Sequence, residues 1–176
     1  MAVIDFTAGD RSYKFVTDKK NAIGAALHAI ELGGYIVNLE TESESESAAV
    51  YDSITGLIAS GQVDPSQSTA ADGGDGSYAW LGGTDNVWSG WPGAAEGSWR
   101  WKYSGTALST TRSEWGRGTL GSEPDNSAGA QHYLALGLTN WPSGSAAGNG
   151  FGDAGQWNDI GRDNELFYVV EMSPLA

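Results

Sequence analysis

The chain has 176 residues and a formal net charge of -13, with 22 acidic side chains against only 9 basic ones. This length is typical of one domain that buries its own core. Such an acidic surface repels phosphate backbones, so we predict no nucleic-acid partner. The absence of cysteine excludes disulfides, thiolate metal sites and cysteine catalysis. The acidity itself fits either a role in solubility or a setting rich in divalent cations.

Glycine and tryptophan stand out in the composition. The 26 glycines indicate a backbone with many loops and turns, and the 8 tryptophans can brace such loops with large buried surfaces. No stretch reaches the roughly 20 apolar residues of a membrane span, so we predict no membrane insertion. The sequence predicts one loop-rich α+β domain over residues 1–176, with its core at about 13–172.

The first predicted strand lies in "RSYKFVT" (11–17), where apolar and polar residues alternate. Thr17 then has the residue type of a helix N-cap, for a helix that extends to about Leu32 and ends at glycine. Its apolar face is predicted from residues at helical spacing: Ile23, Leu27 and Ile30. The following "LGGYIVNL" runs into a buried strand.

A second helix is predicted near Thr41, which forms a capping box with Glu44. Its apolar stripe consists of Tyr51, Ile54, Leu57 and Ile58. The stretch 60–77 contains "DGGDG", which hints at calcium. It fits neither the twelve-residue calcium loop nor the glycine-rich nonapeptide repeat, so we interpret it as a solvated loop.

Short apolar stretches separated by glycine make up the rest of the chain. They predict strands of a small sheet with long loops between them: "YAWLGG", "GSWRWKYSG", "HYLALGL" and "LFYVVEM". The N-terminus lacks the basic flank and apolar core of a secretory signal. We therefore expect a module of a larger exported protein whose signal lies elsewhere, with an extracellular or cell-surface location.

Two polar motifs in the loop-rich part of the chain point to a chemistry. "EPDN" begins at Glu123, and "WND" ends at Asp159. Carboxylates and side-chain amides are hard oxygen ligands, which are typical of calcium rather than zinc sites. "EPDN" alone suggests only a proline turn on an acidic surface, whereas both motifs together favour an ion site.

The two helices followed by "AWLGGTD", "GSWRW", "EPDN" and "WND" in that order resemble the C-type lectin-like domain. The resemblance covers nearly the whole chain, and "AWLGG" is similar to a buried core motif of that family. It implies a C-type lectin-like α+β fold with two helices, small antiparallel sheets and long calcium-binding loops. In lectins of the family, one calcium ion binds two vicinal sugar hydroxyls.

Carried onto this chain, the resemblance implies a calcium ion and a sugar bound by the same five side chains: Glu123, Asp125, Gln131, Asn158 and Asp159. Pro124 corresponds to a cis-proline that aims its two neighbours at the ion. The backbone carbonyl of Asp159 often adds an oxygen in relatives. Calcium takes about 6–8 oxygen ligands, so these groups and two sugar hydroxyls give a sufficient shell.

Two positions depart from the family's mannose-type pattern, which has asparagine at the position of Asp125 and glutamate at that of Gln131. Three carboxylates remain, but Glu123 now pairs with an acid, and Gln131 pairs with the amide of Asn158. Sugar hydroxyls in such sites need both an acceptor and a donor. We therefore expect calcium binding to tolerate these changes better than sugar specificity does.

A second calcium site is predicted from the same resemblance: Asp85, Glu96 and Asn126. The insertion "NVWSGWPGAA" stands between the two acids, which leaves their proximity open. His132 is interpreted as a strand residue beside a loop, with pH sensing or ligand contact as the alternative. His28 is interpreted as a helix residue without a role.

The tryptophans divide into two groups by context. Trp157 belongs to a motif whose family counterpart lies in the core, so we predict that it is buried. Those in glycine- and proline-rich loops are predicted to brace these loops, with stacking on a sugar as the alternative: Trp88, Trp91 and Trp141.

The leading functional hypothesis is a calcium-dependent carbohydrate-binding module of a bacterial-type adhesin. It has no cysteine, and Tyr133 and Arg162 stand where the family's disulfide-bonded members have a cysteine pair. The alternative is a protein-binding or ice-binding domain on the same scaffold with a purely structural calcium ion. An enzyme is not predicted, because the two histidines fit no serine-histidine-acid constellation.

Overall fold

The computed structural model describes residues 2–39, 44–85 and 95–172, apart from the side chains of residues 44 and 45. A strand that the sequence analysis missed opens the fold. This strand, β1 (Val3–Ala8), forms an antiparallel hairpin with β2 (Arg11–Lys20). Alternate residues of β1 pack against the core: Ile4, Phe6 and Ala8. The predicted first strand is therefore the second, and the sheet begins ahead of the predicted core.

The first helix, α1 (Ala22–Glu31), starts later than predicted. Thr17 remains in β2, where its N–H donates to the Ala2 carbonyl at 2.9 Å and its hydroxyl accepts from the Ala2 N–H at 2.8 Å. Asn21 is the N-cap instead, because its Oδ1 accepts from the Gly24 N–H at 2.7 Å. Beyond Thr17, β2 continues beside β11, where Lys20 pairs with Leu166, and this pairing delays the start of the helix.

The predicted apolar face of α1 is wrong. Ile23, Leu27 and Ile30 are 40%, 59% and 66% exposed. The helix packs instead through small side chains: Ala22, Ala25, Ala26 and Ala29. Alanines allow the helix backbone to approach the sheet closely, so the longer side chains at neighbouring positions face outward.

The second helix, α2 (Glu44–Ala59), follows the short strand β3 (Gly34–Ile36). Its predicted stripe is confirmed, because Ile54 and Leu57 are buried and Tyr51 and Ile58 pack against the same core cluster. Thr41 and the Glu44 side chain, the predicted capping box, lie outside the described residues. Neither described helix is both long and apolar enough to cross a membrane.

The described residues contain eight further strands: β4 (Thr69–Ala70), β5 (Gly76–Thr84), β6 (Arg100–Trp101), β7 (Arg117–Gly118), β8 (Gly121–Ser122), β9 (Tyr133–Gly137), β10 (Trp157–Ile160) and β11 (Leu166–Met172). The main sheet has the order β1-β2-β11-β5-β9-β10. Its β11–β5 pair is parallel, and its other pairs are antiparallel. β3 adds to β11, β4 and β6 add to β5, and β7 and β8 form a separate ribbon.

The stretch 60–77 is packed rather than simply solvated. Two 3-10 turns, Pro65–Gln67 and Ala71–Gly73, flank β4. Ser68 is fully buried, and its hydroxyl donates to the Tyr78 carbonyl at 2.6 Å. This part of the chain therefore reaches the sheet beside the predicted ion site.

The core consists of two hydrophobic clusters. One includes the buried face of α2, and the other includes the alanines of α1. Trp157 is fully buried in the first cluster, as predicted, and meets the rings of Trp101 and Trp115 edge-on at 5.7 and 6.0 Å. β10 is thereby anchored at the residue that precedes the predicted ligands.

Trp141 lies in the second cluster and is 2% exposed. Glycine backbones surround its ring so closely that an added Cβ at Gly116, Gly137 or Gly152 would lie 2.5, 2.5 and 2.1 Å from ring atoms. The backbone N–H of Trp141 also donates to the Gly152 carbonyl at 3.0 Å. The predicted loop-bracing role of Trp141 is confirmed. Trp88 and Trp91 lie outside the described residues.

We expect Gly152→Ala to lower the free energy of unfolding by about 1–3 kcal/mol, which is typical of an overpacked core, since the added methyl group would collide with Trp141. Gly56→Ala is the matched control, because nothing lies within 4 Å of the new Cβ in α2. It should be neutral or stabilising by up to about 1 kcal/mol. Urea denaturation followed by circular dichroism measures both, and equal stabilities would contradict the packing around Trp141.

Candidate metal centre

The predicted ion site forms where the segment 123–131 meets β10. β10 supplies Asn158 and Asp159, and its pairing with β9 fixes their register. The Glu123–Pro124 peptide bond is cis, which confirms the predicted cis-proline. The two motifs, which are distant in the sequence, lie side by side, because backbone N–H groups of the first donate to the Asp159 carboxylate of the second.

Three carboxylates meet at this point. One oxygen each from Glu123, Asp125 and Asp159 lies within 4.8 Å of the other two. Backbone N–H groups hold them: that of Asp125 donates to Glu123 Oε2 at 3.1 Å and to Asp159 Oδ1 at 3.2 Å, and that of Asn126 donates to Asp159 Oδ2 at 2.7 Å. Asp125 is exposed, whereas the other two acids are buried.

Burial and mutual repulsion perturb these acids. Burial raises the pKa of Glu123 to about 9, with smaller contributions from the charges of Asp159 and Asp125. The Trp141 indole N–H donates to Glu123 Oε1 at 3.1 Å and opposes this rise in pKa. Burial is also the main cause of the raised pKa of Asp159. Without a cation, the cluster therefore favours a bound proton over full ionisation.

Asn158, beside Asp159 in β10, has a buried side-chain oxygen without a hydrogen-bond partner. Its Nδ2 lies 3.0 Å from the Tyr78 hydroxyl, and that hydroxyl donates its only proton to the Gly73 carbonyl at 2.6 Å. The Tyr78 oxygen must therefore accept from Asn158, which fixes the orientation of the amide. Asn158 Oδ1 is then left buried without a hydrogen-bond partner. A buried acceptor in this state calls for a ligand.

Gln131 is held by Asp72, a residue that the sequence analysis did not select. Gln131 Nε2 donates to the Asp72 carbonyl at 2.8 Å and lies 3.3 Å from Oδ2, while Gln131 Oε1 accepts from the Ser127 N–H at 2.9 Å. Asp72 also accepts from the Gly161 N–H at 2.8 Å and from Asn164 Nδ2 at 2.7 Å. The "DGGDG" motif, which was interpreted as part of a solvated loop, was the available signal.

Four of the five predicted ligands line one cavity of about 210 Å³: Glu123, Asp125, Gln131 and Asn158. Asp159 completes the group through its contacts with the segment 123–131. Every side chain offers oxygen, three are acids, and one oxygen is unpartnered. These residues fit calcium, which prefers several hard oxygen ligands of this kind.

The second predicted cluster has a different third member. Ligand atoms of Asp85, Glu96 and His132 lie within 4.8 Å of one another. Asn126 instead contributes to the first site, where its N–H bonds Asp159 and its Oδ1 accepts from the Gln131 N–H at 3.1 Å. Most of the insertion after Asp85 lies outside the described residues. The two acids are nevertheless close together.

The histidines and the pair at the predicted cysteine positions also have defined surroundings. His132 precedes β9 and contacts two acids, so it is more than a strand residue beside a loop. His28 Nδ1 hydrogen-bonds the Tyr168 hydroxyl. Tyr133 packs edge-on against Trp80, with ring centroids 6.4 Å apart. The Arg162 side chain is 59% exposed.

Comparisons with solved structures identify the fold. The mouse scavenger receptor C-type lectin carbohydrate-recognition domain matches with a TM-score of 0.59 and 18% identity, over 97% of this chain and 96% of that chain. The C-type carbohydrate-recognition domain of cow CD23, in the presence of a GlcNAc2Man3 oligosaccharide, matches with a TM-score of 0.59 and 17% identity. This match covers 98% of this chain and 95% of that chain. The C-type lectin CEL-I from Cucumaria echinata matches with a TM-score of 0.59 and 20% identity, over 96% of this chain and 94% of that chain.

Neither a family model nor a curated protein matches the sequence. At identities of 17–20%, the structural likeness concerns the fold. It agrees with the order of motifs in the sequence and with the α+β architecture described above. The chain therefore has the C-type lectin-like fold.

Proposed function

We propose that the chain is a calcium-dependent carbohydrate-binding module. The observation that carries this proposal is the convergence of three carboxylates beside a cavity that Glu123, Asp125 and Asn158 line, together with the unpartnered buried oxygen of Asn158. Several neighbours in fold are carbohydrate-recognition domains, which supports the same class of ligand. The calcium ion would be held by Glu123, Asp125, Gln131, Asn158 and Asp159.

The bound ion would supply a positive centre for two vicinal sugar hydroxyls. The side chains themselves would accept hydrogen bonds from these hydroxyls. Asp125 is suited to this role, because its carboxylate is exposed at the cavity and only one backbone N–H, that of Ser127, is seen to donate to it. Glu123 is more constrained, since Trp141 and the Asp125 N–H already use its two oxygens.

Donors to the sugar are scarcer than acceptors. Gln131 Nε2 faces Asp72, and Asn158 Nδ2 already donates to Tyr78. The Asn158 amide keeps one hydrogen for a ligand, because an amide nitrogen carries two. The site would therefore select hydroxyls that donate to carboxylates more than hydroxyls that accept. This supports a specificity different from the family's mannose-type pattern.

The surroundings implied by this function agree with the charge of the chain. A calcium site of moderate affinity, with a Kd of about 10⁻⁴–10⁻³ M, is typical of extracellular modules. We infer an extracellular or cell-surface location and a role in adhesion to glycans. Binding rather than catalysis is proposed, since the described contacts of His28 and His132 are with a tyrosine and two acids rather than with a serine.

Calcium should raise the melting temperature of the protein, because an ion bound only by the native state stabilises it. The gain is about 2.7 kcal/mol at a concentration of 100 times Kd, so tens of millimolar calcium should suffice for the Kd range above. Differential scanning calorimetry after chelator treatment measures the shift.

Asp159→Asn should reduce the shift in melting temperature strongly. Asp163→Asn is the matched control, because the Asp163 side chain is 93% exposed, and it should respond like the parent. Equal responses of both variants would contradict the site.

The calcium-free protein should lose stability as pH rises between about 5 and 9. Glu123 has an ordinary pKa of 4.5 and a folded pKa of about 9, so in this window the native state binds more protons than the unfolded state. The free energy of unfolding then falls with rising pH. Glu123→Gln should flatten this slope, and saturating calcium should weaken or reverse it. Urea titrations at several pH values measure this slope. A free energy of unfolding that rises with pH in the calcium-free protein would contradict the raised pKa of Glu123.

Sugar binding should require both calcium and Asp125. The protein should be retained on at least one glycan of an array in calcium and released by a chelator. Asp125→Ala should lose retention, because the exposed acceptor is removed. Asp163→Asn should be retained like the parent. If calcium shifts the melting temperature but no glycan is retained, the ion is structural and the carbohydrate proposal fails.

A further inference from the structure

A second group of ligand atoms lies at the end of β5. Asp85 follows this strand, and its side chain is fully buried. His132 Nδ1 lies 3.0 Å from Asp85 Oδ1 and 3.3 Å from Glu96 Oε2. The His132 and Glu96 side chains are 17% and 50% exposed. One imidazole nitrogen and two carboxylate oxygens therefore converge at a site that is open on one side.

Hydrogen bonds fix the backbone of His132 and the side chain of Asp85. The His132 carbonyl accepts from the Thr84 hydroxyl at 2.7 Å and from the Asp85 N–H at 3.3 Å. The Gly97 N–H donates to Asp85 Oδ2 at 2.9 Å, so that Oδ1 is the oxygen turned toward the imidazole. Hydrogen bonds that orient a ligand from behind are typical of metal sites.

The nitrogen ligand distinguishes this cluster from the first site. Calcium prefers oxygen ligands, whereas imidazole suits zinc and similar divalent ions. Zinc binds nitrogen and oxygen at about 2.0–2.2 Å in tetrahedral sites, which separates its ligand atoms by about 3.3 Å. The observed separations of 3.0 and 3.3 Å between the imidazole and the two acids are short enough for one small cation to contact all three ligand atoms.

The charges of the three side chains also favour a divalent cation. A single imidazole, even when protonated, balances only one of the two acids, and Asp85 is fully buried. A divalent cation would neutralise both acids and leave the imidazole free to bind through its lone pair.

We propose that Asp85, Glu96 and His132 form a binding site for a zinc-class divalent ion, separate from the calcium site. His132 stands in this cluster in place of Asn126, the third ligand that the sequence predicts for a calcium ion here. The proposal does not depend on the proposed carbohydrate function, because it uses none of the five ligands of the first site.

The test is a zinc titration of the full chain in saturating calcium, with a competing colorimetric chelator as the reporter. Excess calcium occupies the first site and leaves zinc to the second. We expect one zinc ion per chain. His132→Gln and Glu96→Gln should each weaken zinc binding at least tenfold, since each removes one of three ligands. His28→Gln is the matched control and should bind zinc like the parent.

The substitution His132→Asp tests the selectivity directly. It converts the cluster into three carboxylates, so zinc affinity should fall at least tenfold and calorimetry should count one additional calcium ion. The melting-temperature response of the first site to calcium should persist in all of these variants, which separates failure here from failure of the proposed function. Glu96→Gln should fold normally, because Glu96 is half-exposed.

Two outcomes would overturn the proposal. One is the absence of stoichiometric zinc binding by the parent up to about 100 µM, far weaker than structural zinc sites. The other is zinc binding that survives both His132→Gln and Glu96→Gln. In the first case, the cluster is an ion pair between His132 and the acids, and in the second the zinc ion lies elsewhere.

Discussion

The repulsion among three acids at the end of β10 is the constraint on which the loop architecture depends. Glu123, Asp125 and Asp159 converge within 4.8 Å, and two of them are buried, where water screens their charges poorly. Holding them together costs free energy that other parts of the fold must offset. Trp141 contributes by filling a glycine-walled space while its indole N–H donates to Glu123. The glycine-rich loops are therefore the support of the site rather than filler between strands.

The parts of this site that could be predicted are those encoded locally. "EPDN" and "WND" each place their polar groups through a few consecutive residues, as in the cis bond before Pro124 and the strand β10. Such patterns survive in the sequence whatever the rest of the chain does. The stripe of α2 was predictable for the same reason, because Ile54 and Leu57 follow the period of the helix and contact the core directly.

The predictions that were wrong concern residues whose burial or hydrogen bonding depends on contacts with distant parts of the chain. The spacing of Ile23, Leu27 and Ile30 is that of an apolar face, but the sheet accepts the alanine face of α1 instead. Nothing in the sequence tells how closely a helix approaches its sheet. Asp72 is a similar case, since it bonds Gln131 and Gly161 across 59 and 89 positions of the chain. In the sequence, only the "DGGDG" motif indicates a role for Asp72. A solvated loop has the same composition, so the motif alone does not distinguish the two.

The two residues that precede β9 link the two proposed ion sites. Gln131 reaches Asp72 at the first site, and the next residue, His132, reaches Asp85 and Glu96 at the second. The negative charge of Asp159 acts on Glu96, so the sites lie within electrostatic reach of each other. A cation in one site lowers the negative potential that attracts a cation to the other. Electrostatics alone would therefore make ions at the two proposed sites compete, and this competition would weaken with salt where the groups are exposed. Selectivity then depends on ligand chemistry: oxygen alone at one site, and a nitrogen among the oxygens at the other.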